Sequence, residues 1–418
     1  MNILLINHYA GAPPYGMEFR PYYFAREWVR LGHNVTIVGA SVSHLRTHQP
    51  HCQASVTRED VDGIRYLWLA TPGYSGNGAR RVANILAFVA QLFRYRKHIA
   101  RDVKPELVIA SSTYPLDAVP GSMIANECGA RFVFEVHDLW PLSPIELGGM
   151  SPAHPFIALL QWAENFAYRR ADRVVSMLPN AEPHMRAHGL AQGKFIYIPN
   201  GIDAESWSTT PQELGGSHGA VLEKAKRNGR FLVGYAGAHG IANALDVVVQ
   251  GAHLLSDVPV TFIIVGQGPE KERLRGLAAN LALRNVEFLP PVPKSSIPAL
   301  LAQMDTLLIS LQRSPLFRFG ISPNKLMDYM MAAKPIIQAI DAGNDMVGES
   351  ACGLTVLPES PQKIADAVRI LMALSPAERS DMGARGRWYV LAHHDYRKLA
   401  LQFLTTVKPS SQPIGQLV

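Results

Sequence analysis

Short apolar runs rich in Ile, Val and Phe alternate along the chain with segments whose apolar positions recur at helical spacing. This alternation is typical of parallel strands joined by crossover helices. A first series of strands is predicted at 3–7, 35–39, 64–69, 107–110, 131–136, 174–176 and 195–198. A second series is predicted at 231–235, 261–265, 286–289, 306–309, 336–339 and 354–356. We therefore predict two doubly wound sheets.

The segment between 204 and 229 is polar and rich in helix-breaking residues, with one short helical piece near 221–227, as is typical of a linker. The chain closes with two helical segments and a polar tail. A length of 418 residues is also more than one ordinary core holds. We predict an α/β protein of two Rossmann-like domains facing across a cleft, 1–205 and 206–384, with C-terminal helices at about 385–410 packing back on the first.

Composition narrows the class of protein. With 48% hydrophobic and 18% charged residues the chain is globular, and a formal net charge of +6 is too mild for a dedicated nucleic-acid binder. Three cysteines without a CxxC pair suit a reducing compartment, so we expect a cytoplasmic protein. The opening MNILLINHYAG lacks a basic n-region, and no apolar run approaches 18 residues, so no membrane span is expected.

Glycine loops follow several predicted strands, where open α/β sheets bind ligands. Gly16 lies in the first such loop, and Arg20 opens the helix after it. In the second domain Gly237 follows one strand, and Gly266 and Gly268 follow the next. Such loops admit phosphate or sugar closely at a helix N-terminus, although a tight turn explains each one equally well. Their recurrence on both sheets favours ligand binding.

His137 and Asp138 follow the fifth predicted strand, where buried-strand residues stop abruptly. A His–Asp pair at this edge is placed to meet a substrate. Alternatively, Asp138 caps a turn and His137 makes a structural hydrogen bond. The residues alone leave both interpretations open.

The stretch GISPNKLMDYMMAAKPII predicts a helix with Ser322 as N-cap and Pro323 at its first position. Lys325 falls in the first turn, where the helix dipole disfavours a cation. A bound anion would reverse that penalty. The alternative is a lysine that projects into solvent at a cost of roughly 0.3–1 kcal/mol.

The chain resembles the family-4 retaining glycosyltransferases of GT-B fold, particularly the branch that builds bacterial O-antigens and capsules. The motifs RPYYFAREWVRLGHNVTIV, FEVHDLWP, IPNGID, VGQGPEKERL and SPNKLMDYMMAAKPII carry the resemblance, in the expected order and over nearly the whole length. These motifs are specific to the fold and reaction class but not to the sugar.

The resemblance implies that the second domain binds a nucleotide-sugar and the first binds the acceptor. His137 matches the family's active-site histidine near the donor sugar. Asp328 matches the second carboxylate of the family's Glu-x(7)-Glu motif, which binds ribose hydroxyls. The first carboxylate falls on Gly320, so we expect backbone N–H groups of the 320–322 stretch to substitute for it.

The family's diphosphate-binding cations are also replaced, because their positions read Ala238 and Asn243. A leaving diphosphate still needs cations or helix N-termini to stabilise its charge. Lys325 is the first candidate, with Arg318 and Arg20 as further ones.

The candidate residues are then as follows. The catalytic candidates are His137 and Asp138. The donor-binding candidates are Gly16, Arg20, Gly237, His239, Gly266, Gly268, Arg318, Gly320, Ile321, Ser322, Lys325, Leu326 and Asp328. No metal or cofactor is expected, since the loop of His44, His48, His51 and Cys52 lacks the two-pair spacing of a zinc site.

The expected reaction is retaining transfer of a sugar, such as an N-acetylated deoxyhexosamine, from a UDP-sugar to a polyprenyl-diphosphate-linked saccharide. Two alternatives remain: a UDP-sugar epimerase of the same fold, and a non-catalytic nucleotide-sugar-binding subunit. A basic and apolar helix at 80–104 suits an anionic membrane surface, which would place the protein peripherally at the inner face of the cytoplasmic membrane. Alternatively, that helix is a crossover helix with a buried apolar face. No nucleic-acid partner is expected.

Overall fold

The computed structural model describes residues 1–16, 20–52, 54–76, 78–208 and 214–407. The chain divides into two compact units. The first unit is Met1–Asn200 together with the C-terminal segment from Tyr396, and the second unit is Gly201–Asp395. Part of the predicted linker (209–213) and the predicted polar tail from 408 lie outside the described residues.

The strands of the described chain are numbered in order. They are β1 (Asn2–Ile6), β2 (Asn34–Ala40), β3 (Val56–Val61), β4 (Ile64–Leu69), β5 (Leu107–Ala110), β6 (Arg131–Val136), β7 (Arg173–Ser176), β8 (Phe195–Tyr197), β9 (Phe231–Ala236), β10 (Val260–Val265), β11 (Val286–Leu289), β12 (Thr306–Ser310), β13 (Ile336–Ala339) and β14 (Gly353–Val356).

The α-helices are numbered in the same way. They are α1 (Arg20–Arg30), α2 (Ala79–Val103), α3 (Ala118–Cys128), α4 (Leu142–Glu146), α5 (Pro155–Arg170), α6 (Glu182–Ala187), α7 (Gly216–Arg227), α8 (Leu245–His253), α9 (Lys271–Asn280), α10 (Ile297–Ala302), α11 (Asn324–Met331), α12 (Met346–Glu349), α13 (Pro361–Ala373), α14 (Pro376–His393) and α15 (Tyr396–Val407).

Each unit contains one sheet, and the prediction of two Rossmann-like α/β domains is confirmed. The first sheet has the order β3-β4-β2-β1-β5-β6-β7-β8, and the second has the order β11-β10-β9-β12-β13-β14. All neighbouring strands are parallel except β3 and β4, which are antiparallel. Strand β3 was not predicted, because VTREDV is polar and lies partly exposed at the sheet edge.

The C-terminal helices divide between the units. Helix α15 packs on α1, where the Trp28 indole donates a hydrogen bond to the Ala400 carbonyl (3.1 Å). Helix α14 instead belongs to the second unit, so only the later part of the predicted 385–410 segment packs on the first. Helix α14 packs closely against α11 and the residues just after it. Gly383 permits this approach, because a Cβ there would lie 2.0 Å from the Ala333 carbonyl oxygen.

Helix α2 has the buried apolar face of the crossover-helix alternative given for 80–104. Its residues Ile85, Phe88, Val89, Leu92 and Ile99 are buried, whereas Leu86 is exposed. The cations remain at the surface, so α2 is an amphipathic crossover helix with a basic outer face.

Within the described residues, no helix combines the length and apolar character that crossing a bilayer requires.

Candidate functional site

Two loops at the carboxyl edge of the second sheet pack directly on one another. The loop after β9 and the loop after β10 share backbone hydrogen bonds, including His239 N–H to the Gln267 carbonyl (2.8 Å). Gly266 has φ +147°, and a Cβ there would lie 1.9 Å from the Gly237 carbonyl oxygen. A Cβ on Gly268 would lie 2.4 Å from the His239 carbonyl oxygen. These glycines therefore permit the loops to meet, whatever ligand they also approach.

Lys325 reaches from the first turn of α11 to these loops. Its ammonium donates hydrogen bonds to the Tyr235 hydroxyl (2.9 Å) and the Asn243 Oδ1 (2.5 Å), and lies 4.7 Å from the centre of the Tyr235 ring. Among the described residues no carboxylate lies within 4.0 Å of it. Burial lowers the pKa of Lys325 to about 8. The structure thus places this cation in a largely desolvated position without an acidic partner.

The surroundings of Lys325 are positive. The Lys271 ammonium donates to the carbonyls of Gly266 (2.8 Å) and Leu289 (3.1 Å), which ties α9 to the strand ends. His239 is fully buried and lies close enough for these charges to act on it. Burial first, and then the charges of Lys271 and Lys325, lower the pKa of His239 to about 4. His239 is therefore neutral at physiological pH.

A cavity of about 280 Å³ opens beside the same loops. It is lined by residues 236–238 and 265–267 and by the apolar side chains of Pro291, Val292 and Ile297. No charged residue lines it. Small-molecule pockets are usually lined by apolar groups with a few polar groups, including backbone ones, that fix the orientation of the ligand.

In the 320–322 stretch, two of the N–H groups that were expected to replace a carboxylate are used inside the protein. The Gly320 N–H donates to the Phe317 carbonyl (2.9 Å), and the Ile321 N–H donates to Asn344 Oδ1 (2.7 Å). The side chains of Ile321 and Leu326 are buried in the core of the unit, and the Leu326 N–H is bonded to the Pro323 carbonyl. The Gly320 and Ile321 N–H groups are thus occupied, and donor binding by this stretch stays a prediction.

Helix α11 begins later than predicted. It starts at Asn324, Pro323 occupies the N-cap position, and no side chain caps the helix. Ser322 lies half-buried two residues ahead of the helix. Pro323 has extended backbone (φ −73°, ψ 125°), which explains why it precedes the helix rather than opening it.

Asp328 pairs with a lysine that the sequence did not suggest. Its carboxylate lies 3.1 Å from the Lys294 ammonium, and the two side chains are 13% and 56% exposed. Arg318 is exposed, stacks over the Phe319 ring and donates to the Pro315 carbonyl. The hydrogen-bond partners of the Lys325 ammonium, Tyr235 and Asn243, come from β9 and the loop after it.

In the first unit, His137 is held at the carboxyl end of β6. Its Nε2 lies 2.9 Å from Ser111 Oγ and 3.3 Å from Glu135 Oε2. Ser111 Oγ donates to the same carboxylate oxygen (2.5 Å), so His137 Nε2–H is the donor in this group. Glu135 and Ser111 therefore fix the orientation of the imidazole, and the Ser111–Glu135 pair was missed because both side chains belong to buried strand ends.

Arg20 is part of this group. Its donors are used inside the protein, which does not fit the predicted role of a donor-binding cation. Its guanidinium donates twice to Glu135 Oε1 (3.1 and 2.9 Å), to the carbonyls of Ile198 and Pro199, and to Asn200 Oδ1. All five of its N–H donors are thereby occupied. Burial alone raises the pKa of Glu135, but Arg20, His137 and Ser111 together hold that pKa far below its usual range. Glu135 is ionised, and Arg20 anchors it.

Asp138 and Gly16 both have local structural partners. Asp138 Oδ1 accepts from the Leu139 N–H (2.9 Å) and the Ser143 hydroxyl (2.6 Å), which is the capping alternative. Gly16 has φ +82°, and a Cβ there would lie 2.7 Å from Thr47 Oγ1. Asp138 also lines a cavity of about 850 Å³ in the first unit.

This cavity lies beside the β6 end. Its apolar walls include Ile85, Trp140 and Phe156, and Arg81 is its cation. Its residues come from the start of α2 and from the segment that follows His137. No pattern in the sequence indicates this cavity, because its walls are distant along the chain.

Two family models match the chain in consecutive halves. Residues 15–201 match the glycosyl transferase 4-like domain, and residues 230–373 match glycosyl transferases group 1. The chain is 26% identical over 366 residues to the putative colanic acid biosynthesis glycosyl transferase WcaI of Escherichia coli (strain K12), covering 83% of this chain and 86% of the relative.

Two solved structures share the fold. Sucrose-phosphate synthase from Thermosynechococcus elongatus superposes with a TM-score of 0.71 at 17% identity, covering 96% of this chain and 97% of the other. Anabaena HepE in complex with UDP superposes with a TM-score of 0.68 at 16% identity, covering 97% and 99%. Both units are thus matched in order, a glycosyl transferase 4-like domain followed by a glycosyl transferases group 1 domain, and the fold is that of the GT-B glycosyltransferases.

Proposed function

We propose that the protein is a retaining glycosyltransferase of surface polysaccharide synthesis that uses a UDP-sugar. Colanic acid synthesis in the name of the WcaI relative, and UDP in the HepE complex, support the pathway class and the nucleotide. The matched families are glycosyltransferases, so neither an epimerase nor a non-catalytic subunit is favoured.

The observation that carries the donor assignment is Lys325. A desolvated ammonium that has only neutral partners is stabilised when an anion binds to it. In this protein a diphosphate would meet Lys325 where the family's usual cations are replaced by Ala238 and Asn243. Asn243 then holds the lysine rather than the phosphate (2.5 Å). The apolar cavity beside Gly237 and Gly266 would take the uracil ring.

The first unit supplies the acceptor side in this proposal. His137, oriented through Nε2 by Glu135 and Ser111, would contact the donor sugar during transfer. The 850 Å³ cavity would hold the acceptor, with Arg81 facing the lipid-linked diphosphate and the apolar walls facing its first isoprenoid unit. We propose that the reaction uses no metal, because Lys325 meets the charge of the leaving diphosphate.

Replacing Lys325 tests the diphosphate contact through pH. A diphosphate favours the charged lysine, so UDP binding takes up a proton above the free pKa of about 8. Wild-type UDP affinity is therefore expected to fall by up to about tenfold per pH unit above pH 8. Isothermal titration between pH 7 and 9.5 measures this fall.

The variant and its control are matched. Lys325→Gln is expected to weaken UDP binding at pH 7 by roughly tenfold to a hundredfold and to remove the pH dependence above pH 8. Lys363→Gln, at an exposed lysine of the same unit, is expected to change neither. A pH dependence that survives in Lys325→Gln would contradict the assignment.

Asp328 is tested against its ion-pair partner. If the carboxylate binds ribose hydroxyls, Asp328→Asn should weaken UDP binding by about 1–2 kcal/mol. Lys294→Ala should cost much less, because an exposed ion pair contributes little. Binding of UDP measured by calorimetry decides the matter. Equal losses in both variants would mean that Asp328 acts only through Lys294.

His137→Ala is expected to lower acceptor-dependent UDP release by roughly hundredfold or more while leaving UDP affinity within about twofold. The reason is that the imidazole meets the sugar and not the nucleotide. Coupled-enzyme detection of UDP gives the rate, and titration of UDP gives the affinity. A parallel loss of UDP affinity would remove His137 from this role.

The peripheral placement rests on charge alone once the apolar face of α2 is buried. Arg94 and Lys97 are exposed on that helix, and each cation near anionic headgroups contributes about 1 kcal/mol. Co-sedimentation with anionic liposomes at low salt is expected to fall in Arg94→Glu/Lys97→Glu but not in Lys224→Glu/Arg227→Glu on the second unit. Binding that does not depend on anionic lipid, or no binding at all, would contradict this proposal.

A further inference from the structure

A group of two histidines and one glutamate lies between α5 and α6 of the first unit. Glu164 comes from the middle of α5, His184 from α6, and His188 from the residue just after α6. Their potential ligand atoms all lie within 4.8 Å of one another. His184 and His188 are four residues apart, and their ring centres are 4.3 Å apart. The spacing H-x(3)-H on one helical face is a common arrangement of two metal ligands.

Glu164 is a buried carboxylate whose neighbours include no lysine or arginine among the described residues. Its side chain is 2% exposed, and among the described residues no lysine or arginine nitrogen lies within 4.0 Å of it. Its Oε1 accepts from the Tyr168 hydroxyl (2.9 Å), and its Oε2 accepts from Gln161 Nε2 (2.7 Å). These hydrogen bonds orient the carboxylate towards His184, whose Nε2 lies 3.3 Å from Oε1. A buried charge is costly unless a cation completes its surroundings.

His188 is oriented by the backbone. Its Nδ1 lies 2.9 Å from the His184 carbonyl oxygen, so Nδ1 carries the proton in that hydrogen bond. The other ring nitrogen, Nε2, then carries a lone pair. Metal-binding histidines usually have one nitrogen fixed in this way by a carbonyl or carboxylate. Glu164 and His188 thus both have the outer hydrogen bonds that metal ligands require.

We infer that Glu164, His184 and His188 form a binding site for Zn²⁺. Two imidazoles and one carboxylate are a ligand set that zinc accepts, with solvent at the fourth position beside the half-exposed histidines. Binding would draw the ligand atoms to the separations of roughly 3.3–3.5 Å that Zn–N and Zn–O bonds of about 2.0–2.1 Å impose. The ion would fasten α6 to α5, directly after β7. Its role is structural, and it goes beyond the expectation that the chain holds no metal, which considered only the loop from His44 to Cys52.

The test uses the full chain after treatment with a chelator and dialysis. With ZnCl₂ as the probe, equilibrium dialysis followed by metal analysis is expected to give one tightly bound Zn²⁺ per chain. Zinc is also expected to raise the melting temperature of the chain by a few degrees at saturation.

Two variants and one control locate the ion. Glu164→Gln keeps the hydrogen-bonding shape of the side chain, and His188→Ala removes a half-exposed ring, so both are expected to fold and to lose at least tenfold in zinc affinity. His48→Ala/His51→Ala changes two exposed histidines elsewhere and should retain the ion. The inference is overturned if the wild-type chain binds no more zinc than His188→Ala does. It is also overturned if His48→Ala/His51→Ala loses the zinc instead.

Discussion

The ammonium of Lys325, held against Tyr235 and Asn243, is the interaction on which the proposed function of the second unit depends. Burial favours the neutral amine, and neither partner is an acid. The glycine loops after β9 and β10 pack tightly on one another, and Lys325 reaches this region from α11. A Cβ on Gly237 would itself lie 3.3 Å from the lysine Nζ. An arrangement of this kind leaves charge available for an anionic ligand.

Arg20 in the first unit shows the opposite solution to the same problem. It is more deeply buried than Lys325, but Glu135 neutralises it, and carbonyls and an amide use the rest of its donors. The pair joins α1, β6 and the 198–200 segment and sets the carboxylate against His137. The contrast separates a cation that builds the fold from one that is available to a ligand. Sequence motifs alone give both residues the same appearance.

Much of the fold could be predicted from the sequence because buried parallel strands are continuous apolar runs. Strand β3 was not predicted, because its residues are polar and it pairs only with β4, at the edge of the sheet. Within the site, the sequence indicated Lys325 as an unusual position because a cation in a first helical turn contradicts a local electrostatic rule, and its role in binding stays a prediction. Its partners Tyr235 and Asn243 are some 80–90 residues away along the chain, and only tertiary structure brings them together.

Errors at the site arose where backbone hydrogen bonds decide the outcome. The N–H groups of Gly320 and Ile321 are used inside the protein, by Phe317 and Asn344, and no pattern in the sequence reports this. The Glu164–His184–His188 group was also missed, although the H-x(3)-H spacing was visible. Its third member lies on another helix, and its carboxylate is recognised as special only by its burial.

The most direct measurement is the pKa of the Lys325 ammonium itself, followed by NMR of ¹³Cε-labelled lysine with and without saturating UDP. Free protein should show one lysine titrating near pH 8, absent from Lys325→Gln. Saturation with UDP should raise that pKa by at least about one unit, which corresponds to the roughly 1.4 kcal/mol gained per tenfold change in affinity. A lysine that titrates near pH 8 in both states would contradict the proposal that the diphosphate binds there.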